Sequence, residues 1–390
     1  MNTIIIKNGR LLTGGTEHRD DVLIRKGRIV YVGPDGEAKC SGEPAEVVDA
    51  AGKYVAPGFI DLHVHGGGGA DFGDGTVEAF RRILSFHGSH GTTLLYPTLM
   101  AGTFRKAMES YHKVKAHTAE GSEMGGLHME GPYFAASKTG AQDPRYLKSP
   151  DPEEYMDLLE RSEGEIARWS LAPELPGADD MAGILKARGV LVAYGHTDAS
   201  FEECDHAFRA GFTHMTHFYS CMSTVSRKGI EKRAGAVEYG YYNDDVTLEL
   251  IGDGIHVPAS LLKLAYKIKG ADRIALVTDS IRAAGLPDGD YDLGEGGLRI
   301  TVADGMARLA DSMTLAGSVA TMDHVVRTVH RLTGLPVAEV VKSATETPAR
   351  IMGISDRKGS LREGFDADIV IFDADVNISD VIIAGKLLRK

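Results

Sequence analysis

Ala56-Pro57-Gly58-Phe59-Ile60-Asp61-Leu62-His63-Val64-His65-Gly66 is an apolar run that ends in two histidines and a glycine. A run of this length with turn residues at both ends reads as a buried strand. His63 and His65 are two apart, so on a continuing strand both project to the same side. The segment also divides the chain into two characters. Upstream, residues 1–56 read as β: runs at 3–7, 22–25 and 29–32 are separated by Asn-Gly, Lys-Gly and Asp-Gly turn signals. Downstream, apolar strand candidates alternate with helical patterns.

The strand candidates are 57–63, 92–96, 126–130, 167–172, 190–195, 213–217, 247–251 and 274–279. Between them, residues 76–89 place Val77, Phe80, Ile83 and Leu84 on one helical face. Asp151-Pro152-Glu153-Glu154 combines an N-cap, a proline at the first helical position and an acidic first turn. Ser200 with Glu203 makes a capping-box pattern, and Gly211 closes that helix. Strand-then-helix units repeated in this way predict an α/β fold, a (β/α)8 barrel of the TIM type. Residues 359–390 return to β character, with runs at 367–372 and 381–384. Both termini are therefore expected to build one small β domain, 1–56 with 355–390, beside a barrel of 57–354.

The chain has 390 residues, too many for one ordinary core and suited to a barrel plus a smaller domain. Its formal net charge is −12, with acidic residues spread along the sequence, which argues against nucleic-acid binding. No stretch approaches a membrane span. The start lacks the apolar core and cleavage site of a signal peptide, and the three cysteines are scattered, so a reduced, cytoplasmic protein is expected.

Residues suited to holding metal fall at the ends of the strand candidates. His63 and His65 follow the first, Glu130 ends the third, His196 the fifth, His217 the sixth and Asp279 the eighth. In a (β/α)8 barrel the active site lies at the carboxyl ends of the strands, so these residues are expected to converge on one mouth. Imidazoles and carboxylates are good ligands for divalent ions such as zinc and iron. With an open position, such a site activates water and polarises a carbonyl, and Asp279 is placed to move the proton. Singly, each residue also has a structural reading, as a core histidine, a turn glutamate or a helix cap. Jointly they point to a metal-dependent hydrolase. His128 and His214 read as structural residues or as groups that orient a ligand.

The motifs Ala56–Gly66, His128-Met129-Glu130-Gly131-Pro132-Tyr133, Gly195-His196-Thr197-Asp198-Ala199, Thr216-His217, Asp253-Gly254-Ile255-His256-Val257, Val277-Thr278-Asp279-Ser280 and Leu315-Ala316-Gly317-Ser318 together resemble the N-acetylglucosamine-6-phosphate deacetylases of the amidohydrolase superfamily. The resemblance implies a (β/α)8 barrel with a small β-sandwich, a homodimer, and an amino-sugar phosphate as the small-molecule substrate. It implies that Glu130, His196 and His217 hold the principal metal and that His63 and His65 hold a second. The cofactor is then one or two divalent ions, zinc first and iron second. Asp279 is implied as the catalytic acid and base, His256 as a contact to the sugar and the reacting amide, and Leu315, Ala316 and Gly317 as the sugar-site lining.

The departures from the family lie where substrate is selected. Gly140-Ala141-Gln142 stands where the family commonly has a histidine after Gly-Ala, and Ser220-Cys221 stands in place of Asn-Ala. Ala141, Gln142, Ser220 and Cys221 are expected to contact substrate. Arg227 is the expected phosphate ligand, with Lys228 and Arg233 as rivals. The expected reaction is removal of the N-acetyl group from N-acetylglucosamine 6-phosphate. The alternatives are the same reaction on N-acetylgalactosamine 6-phosphate or another N-acyl compound, a cyclic amidase or deaminase of the same superfamily, or a scaffold that has lost catalysis.

Overall fold

The computed structural model describes residues 3–40, 44–116, 121–294 and 297–388. Eight parallel strands form the centre: β1 Phe59–Val64, β2 Thr92–Met100, β3 Leu127–Glu130, β4 Ile166–Leu171, β5 Leu191–Tyr194, β6 Phe212–Met215, β7 Thr247–Ile251 and β8 Ile274–Val277. They pair in chain order from β1 to β8. The ring closes just past the end of β8, where the Asp279 N–H donates to the His63 carbonyl at 2.9 Å and the His65 N–H donates to that of Ser280 at 2.8 Å. Asp61 fastens the same seam, accepting the Thr278 hydroxyl at 2.6 Å. A helix follows each strand: α1 Val77–Ser89, α2 Phe104–Lys115, α3 Pro152–Arg161, α4 Ala178–Ala187, α5 Phe201–Ala210, α6 Ala236–Tyr242, α7 Ala259–Lys269 and α8 Met322–Thr333. This is the (β/α)8 barrel that the sequence predicts.

Local chemistry explains the helix boundaries. The Thr76 hydroxyl caps α1 by accepting from the Ala79 N–H, and Phe80, Ile83 and Leu84 turn into the core. Asp151 caps α3 ahead of Pro152. Ser200 and Glu203 form both halves of the capping box at α5. Aromatic and aliphatic side chains between strands and helices, among them Phe80, Tyr111, Trp169, Phe212 and Val325, make the main core.

Three strand ends differ from expectation in an informative way. β5, β6 and β8 stop short of His196, His217 and Asp279, which adopt left-handed φ values of 46°, 29° and 47°. Such a backbone costs a non-glycine residue about 1–3 kcal/mol and ends the strand ladder, turning the side chain off the pleat. β2 is longer than the 92–96 expectation because it runs through Pro97, which sits at an irregularity in the pairing with β1.

The terminal segments build two further sheets. In one, Thr3–Lys7 lies between Asp21–Arg25 and Ala45–Asp49, with Arg28–Gly33 at the edge. In the other, Tyr54–Pro57 joins Arg10–Thr13 to the C-terminal strands Ile369–Phe372 and Ile378–Ile383. Ile4, Ile24 and Val48 from the first sheet pack with Leu11, Val55, Ile369 and Ile382 from the second, as in a sandwich. Lys358 ties the C-terminal segment to the barrel. Its buried ammonium meets Glu123 at 2.6 Å, Asp366 at 3.2 Å and the buried Asp368. Lys358→Met leaves Asp368 unpaired, so a loss of about 3–5 kcal/mol is expected in urea denaturation.

A four-stranded antiparallel sheet, Gly289–Asp292, Arg299–Ala303, Met306–Leu309 and Leu315–Ser318, is inserted between β8 and α8. Among the described residues, no helix is long and apolar enough to cross a membrane.

Candidate active site

The strand ends converge on one pocket of about 330 Å³. That size suits a small ligand of sugar-phosphate dimensions. His65, Glu130, His196, His217, His256 and Asp279 all line it. His63 lies beneath the pocket floor and is fully buried.

Two groups of ligand-type atoms lie at the floor and just beneath it: His63, His65 and Asp279; and Glu130, His196 and His217. Within the first, the Nε2 atoms of His63 and His65 are 3.3 Å apart, and Asp279 Oδ1 lies 3.4 Å and 3.3 Å from them. Within the second, His217 Nε2 is 3.1 Å from both His196 Nε2 and Glu130 Oε1. Glu130 joins the two, since its Oε2 is 3.3 Å from His65 Nε2.

The surrounding hydrogen bonds assign two of these rings. His196 Nδ1–H donates to the Lys138 carbonyl at 2.8 Å, and His63 Nδ1–H donates to the Glu249 carboxylate at 3.2 Å. In neutral rings the Nε2 lone pairs of both are then bare and face other ring nitrogens and carboxylates. Lone pairs crowded this closely repel one another unless a cation sits among them. The donor set, imidazole and carboxylate, fits a divalent ion.

The electrostatics agree. Burial opposes ionisation of Glu130, yet His63, His196, His217 and His65 hold its carboxyl well below the usual range. Burial likewise opposes an Asp279 carboxylate, but His63, His65 and His217 keep it ionised. Burial disfavours a charge on His196, yet Cys221 and Glu130 raise its pKa to about 10. The pocket floor thus attracts positive charge.

Further out, Asp253 Oδ2 accepts His256 Nδ1–H at 2.7 Å, which leaves Nε2 as the ring nitrogen presented at the pocket. Ala141, Ser220 and Cys221 line the wall, and so do Leu315, Ala316 and Gly317 from the inserted sheet. Gly317 has φ of +62°, and a Cβ there would stand 2.8 Å from the Asp279 carbonyl oxygen. Gly140 is equally constrained, since a Cβ would lie 2.6 Å from Cys221 Sγ. Gln142 lines the pocket too, but its amide N–H is given to Glu130 Oε2 at 2.9 Å.

Arg227 is the exception among the expected residues. It sits on an exposed hairpin, Ser226–Lys228 paired with Glu231–Arg233, and does not line the pocket of its own chain. Arg233 is exposed on the same hairpin, and the side chain of Lys228 lies outside the described residues. The short antiparallel pairing carries Arg227 and Arg233 into solvent. Among the described residues, no arginine or lysine lines the pocket.

Two residues central to the site had no place in the sequence reading. Glu249 and Arg168 are fully buried inside the barrel and paired with each other. The available signal was a charged residue in the middle of each apolar strand, Leu248-Glu249-Leu250 and Ala167-Arg168-Trp169. His128 and His214 lie in the same layer. His128 bonds Thr98 and Ser170 at 3.0 Å and 2.7 Å, and His214 bonds Thr247 and Glu249 at 2.6 Å and 3.2 Å. Both therefore support the floor from below.

Comparison with known proteins agrees with this fold. The family model for the amidohydrolase family matches residues 54–388. The N-acetylglucosamine-6-phosphate deacetylase of Lysinibacillus sphaericus is 33% identical over 99% of this chain and 97% of its own length. That of Bacillus subtilis (strain 168) is 33% identical over 88% of this chain and 86% of its own. An alanine variant of the Mycobacterium smegmatis deacetylase, solved with N-acetyl-D-glucosamine 6-phosphate, superposes with a TM-score of 0.90 at 31% identity, covering 100% of both chains. With its barrel, its paired ligand groups and these relatives together, the chain belongs to the amidohydrolase family and, within it, to the N-acetylglucosamine-6-phosphate deacetylases.

Proposed function

We propose that this chain hydrolyses the acetamide of N-acetylglucosamine 6-phosphate and that Asp279, Glu130, His196, His217, His63 and His65 carry the reaction. The observation behind this assignment is the convergence of two carboxylates and four imidazole nitrogens at and just beneath one pocket floor, with Nε2 atoms 3.1 Å apart in one group and 3.3 Å apart in the other. Glu130, His196 and His217 would hold one divalent ion, and His63 and His65 a second, with Asp279 beside them. Zinc suits this set best, with iron the second choice. Such an ion supplies a water of lowered pKa and polarises the amide carbonyl.

The chain's own residues supply the proton chemistry and the positioning. Asp279, held ionised at the pocket floor, takes a proton from the attacking water as the new C–O bond forms on the acetyl carbon. It returns that proton to the nitrogen as the C–N bond breaks. Glucosamine 6-phosphate therefore leaves as an amine, and acetate remains. His256 contacts the sugar and the reacting amide through Nε2, its Nδ1 being held by Asp253. Gln142 steadies Glu130. Leu315, Ala316 and Gly317 would face the sugar, and Ser220 and Cys221 line the same pocket. A cytoplasmic homodimer is the working form of this proposal.

Acetate release from N-acetylglucosamine 6-phosphate, N-acetylgalactosamine 6-phosphate and the two unphosphorylated sugars, measured side by side, tests it. The highest kcat/KM is expected for N-acetylglucosamine 6-phosphate. A higher value for the galacto epimer or for an unphosphorylated sugar contradicts the substrate assignment.

A further inference from the structure

The pocket floor rests on a buried ion pair that the proton chemistry above does not use. Glu249 on β7 and Arg168 on β4 are both fully buried and face each other inside the barrel. Arg168 also donates to the Leu62 carbonyl at 2.9 Å, one residue before His63. Glu249 Oε1 faces Arg168 and accepts from His214 Nε2 at 3.2 Å. The other oxygen, Oε2, reaches both ligand groups: it accepts His63 Nδ1–H at 3.2 Å and the backbone N–H of His217 at 2.9 Å. His217 has a left-handed φ of 29°, a backbone that needs outside support.

We propose that Glu249, neutralised by Arg168, is a positioning residue for the metal centre, because one of its oxygens fixes the ring of His63 and the backbone of His217 at once. With the Nδ1 proton of His63 committed to Glu249, Nε2 is the nitrogen that faces the site. With the His217 N–H committed to the same oxygen, its side chain is held toward Glu130 and His196. One carboxylate thereby couples the two ligand groups from below. Carboxylates that accept the second N–H of a ligating imidazole fix its tautomer and orientation and raise its basicity. The inference rests on the reading that His63 and His217 hold metal.

Two variants separate positioning from bulk stability. Glu249→Asp keeps the charge opposite Arg168 but draws the carboxylate back from His63 and His217. The double variant Arg168→Met with Glu249→Leu removes both charges together, so neither is left buried alone. Metal-free wild-type and variant proteins are titrated with zinc against a chromophoric chelator, and thermal unfolding of each is recorded. The wild type is expected to bind zinc, and each folded variant about 10–100-fold more weakly. KM for N-acetylglucosamine 6-phosphate should stay unchanged while kcat at saturating zinc falls. Wild-type zinc affinity in either folded variant overturns the role of Glu249. A wild type that takes up no zinc overturns the metal reading itself, and this inference with it. One readout needs no variant: nitrogen NMR of histidine-labelled wild-type protein should find His63 protonated at Nδ1, and an Nε2–H ring contradicts the proposal.

Discussion

Asp279→Asn is expected to lower kcat by about a hundred- to ten-thousandfold, the range that a positioned proton-transfer group supplies. The substitution preserves size and removes the ability to accept a proton from water and return it to the leaving nitrogen. Without that return the C–N bond must expel an amide anion, which is far too basic to leave. The ligand group of Glu130, His196 and His217 does not include Asp279, so its metal should stay bound. Asp279 is only 8% exposed and is surrounded by His63, His65 and His217, so the effect is not explained by a disturbed surface. Steady-state kinetics with elemental analysis of the same sample checks both halves. Near-normal kcat removes Asp279 from the mechanism.

Glu130→Ala has the second large expected effect. Glu130 contacts His196 and His217 through Oε1 and His65 through Oε2, so it links the two groups. Its loss leaves one group with two imidazoles and deprives the other of its neighbour. Metal content should fall below about a tenth of wild type, because a catalytic site of this class depends on three protein ligands. Turnover should fall with it. The vacated space is walled by His196, His217 and Gln142, which all tolerate water, so the fold is expected to survive. Elemental analysis of the folded variant measures the effect, and full metal retention contradicts the ligand role.

The barrel was legible in the sequence because its strands are apolar runs bounded by turn residues and its helices carry apolar faces, as at 76–89, or explicit caps, such as Asp151 and Ser200. The floor of the site was legible for a related reason: His63, Glu130, His196, His217 and Asp279 each follow an apolar run, and barrel topology brings the strand ends together. Strand ends were less legible. The left-handed turns at His196, His217 and Asp279 are imposed by tertiary contacts, including the Glu249 bond to His217, and no local pattern announces them. The Arg168–Glu249 pair spans strands far apart in sequence, so only the folded ring reveals it. The inserted sheet of 289–318 shares the turn-rich, alternating character of the terminal segments and was not separated from the barrel. Arg227 was expected as the phosphate ligand from the family resemblance, whereas it lies exposed on the hairpin of 226–233 and does not line the pocket of its own chain.

The central claim is that this pocket deacetylates an amino-sugar phosphate with the help of a bound divalent ion. Acetate release from N-acetylglucosamine 6-phosphate by the zinc-loaded protein, by the same sample after chelation, and again after zinc is restored, tests it most directly. Acetate and glucosamine 6-phosphate in equal amounts, lost on chelation and recovered with zinc, is the expected result. A folded, zinc-loaded protein that releases no acetate, or one whose turnover is indifferent to chelation, contradicts the account.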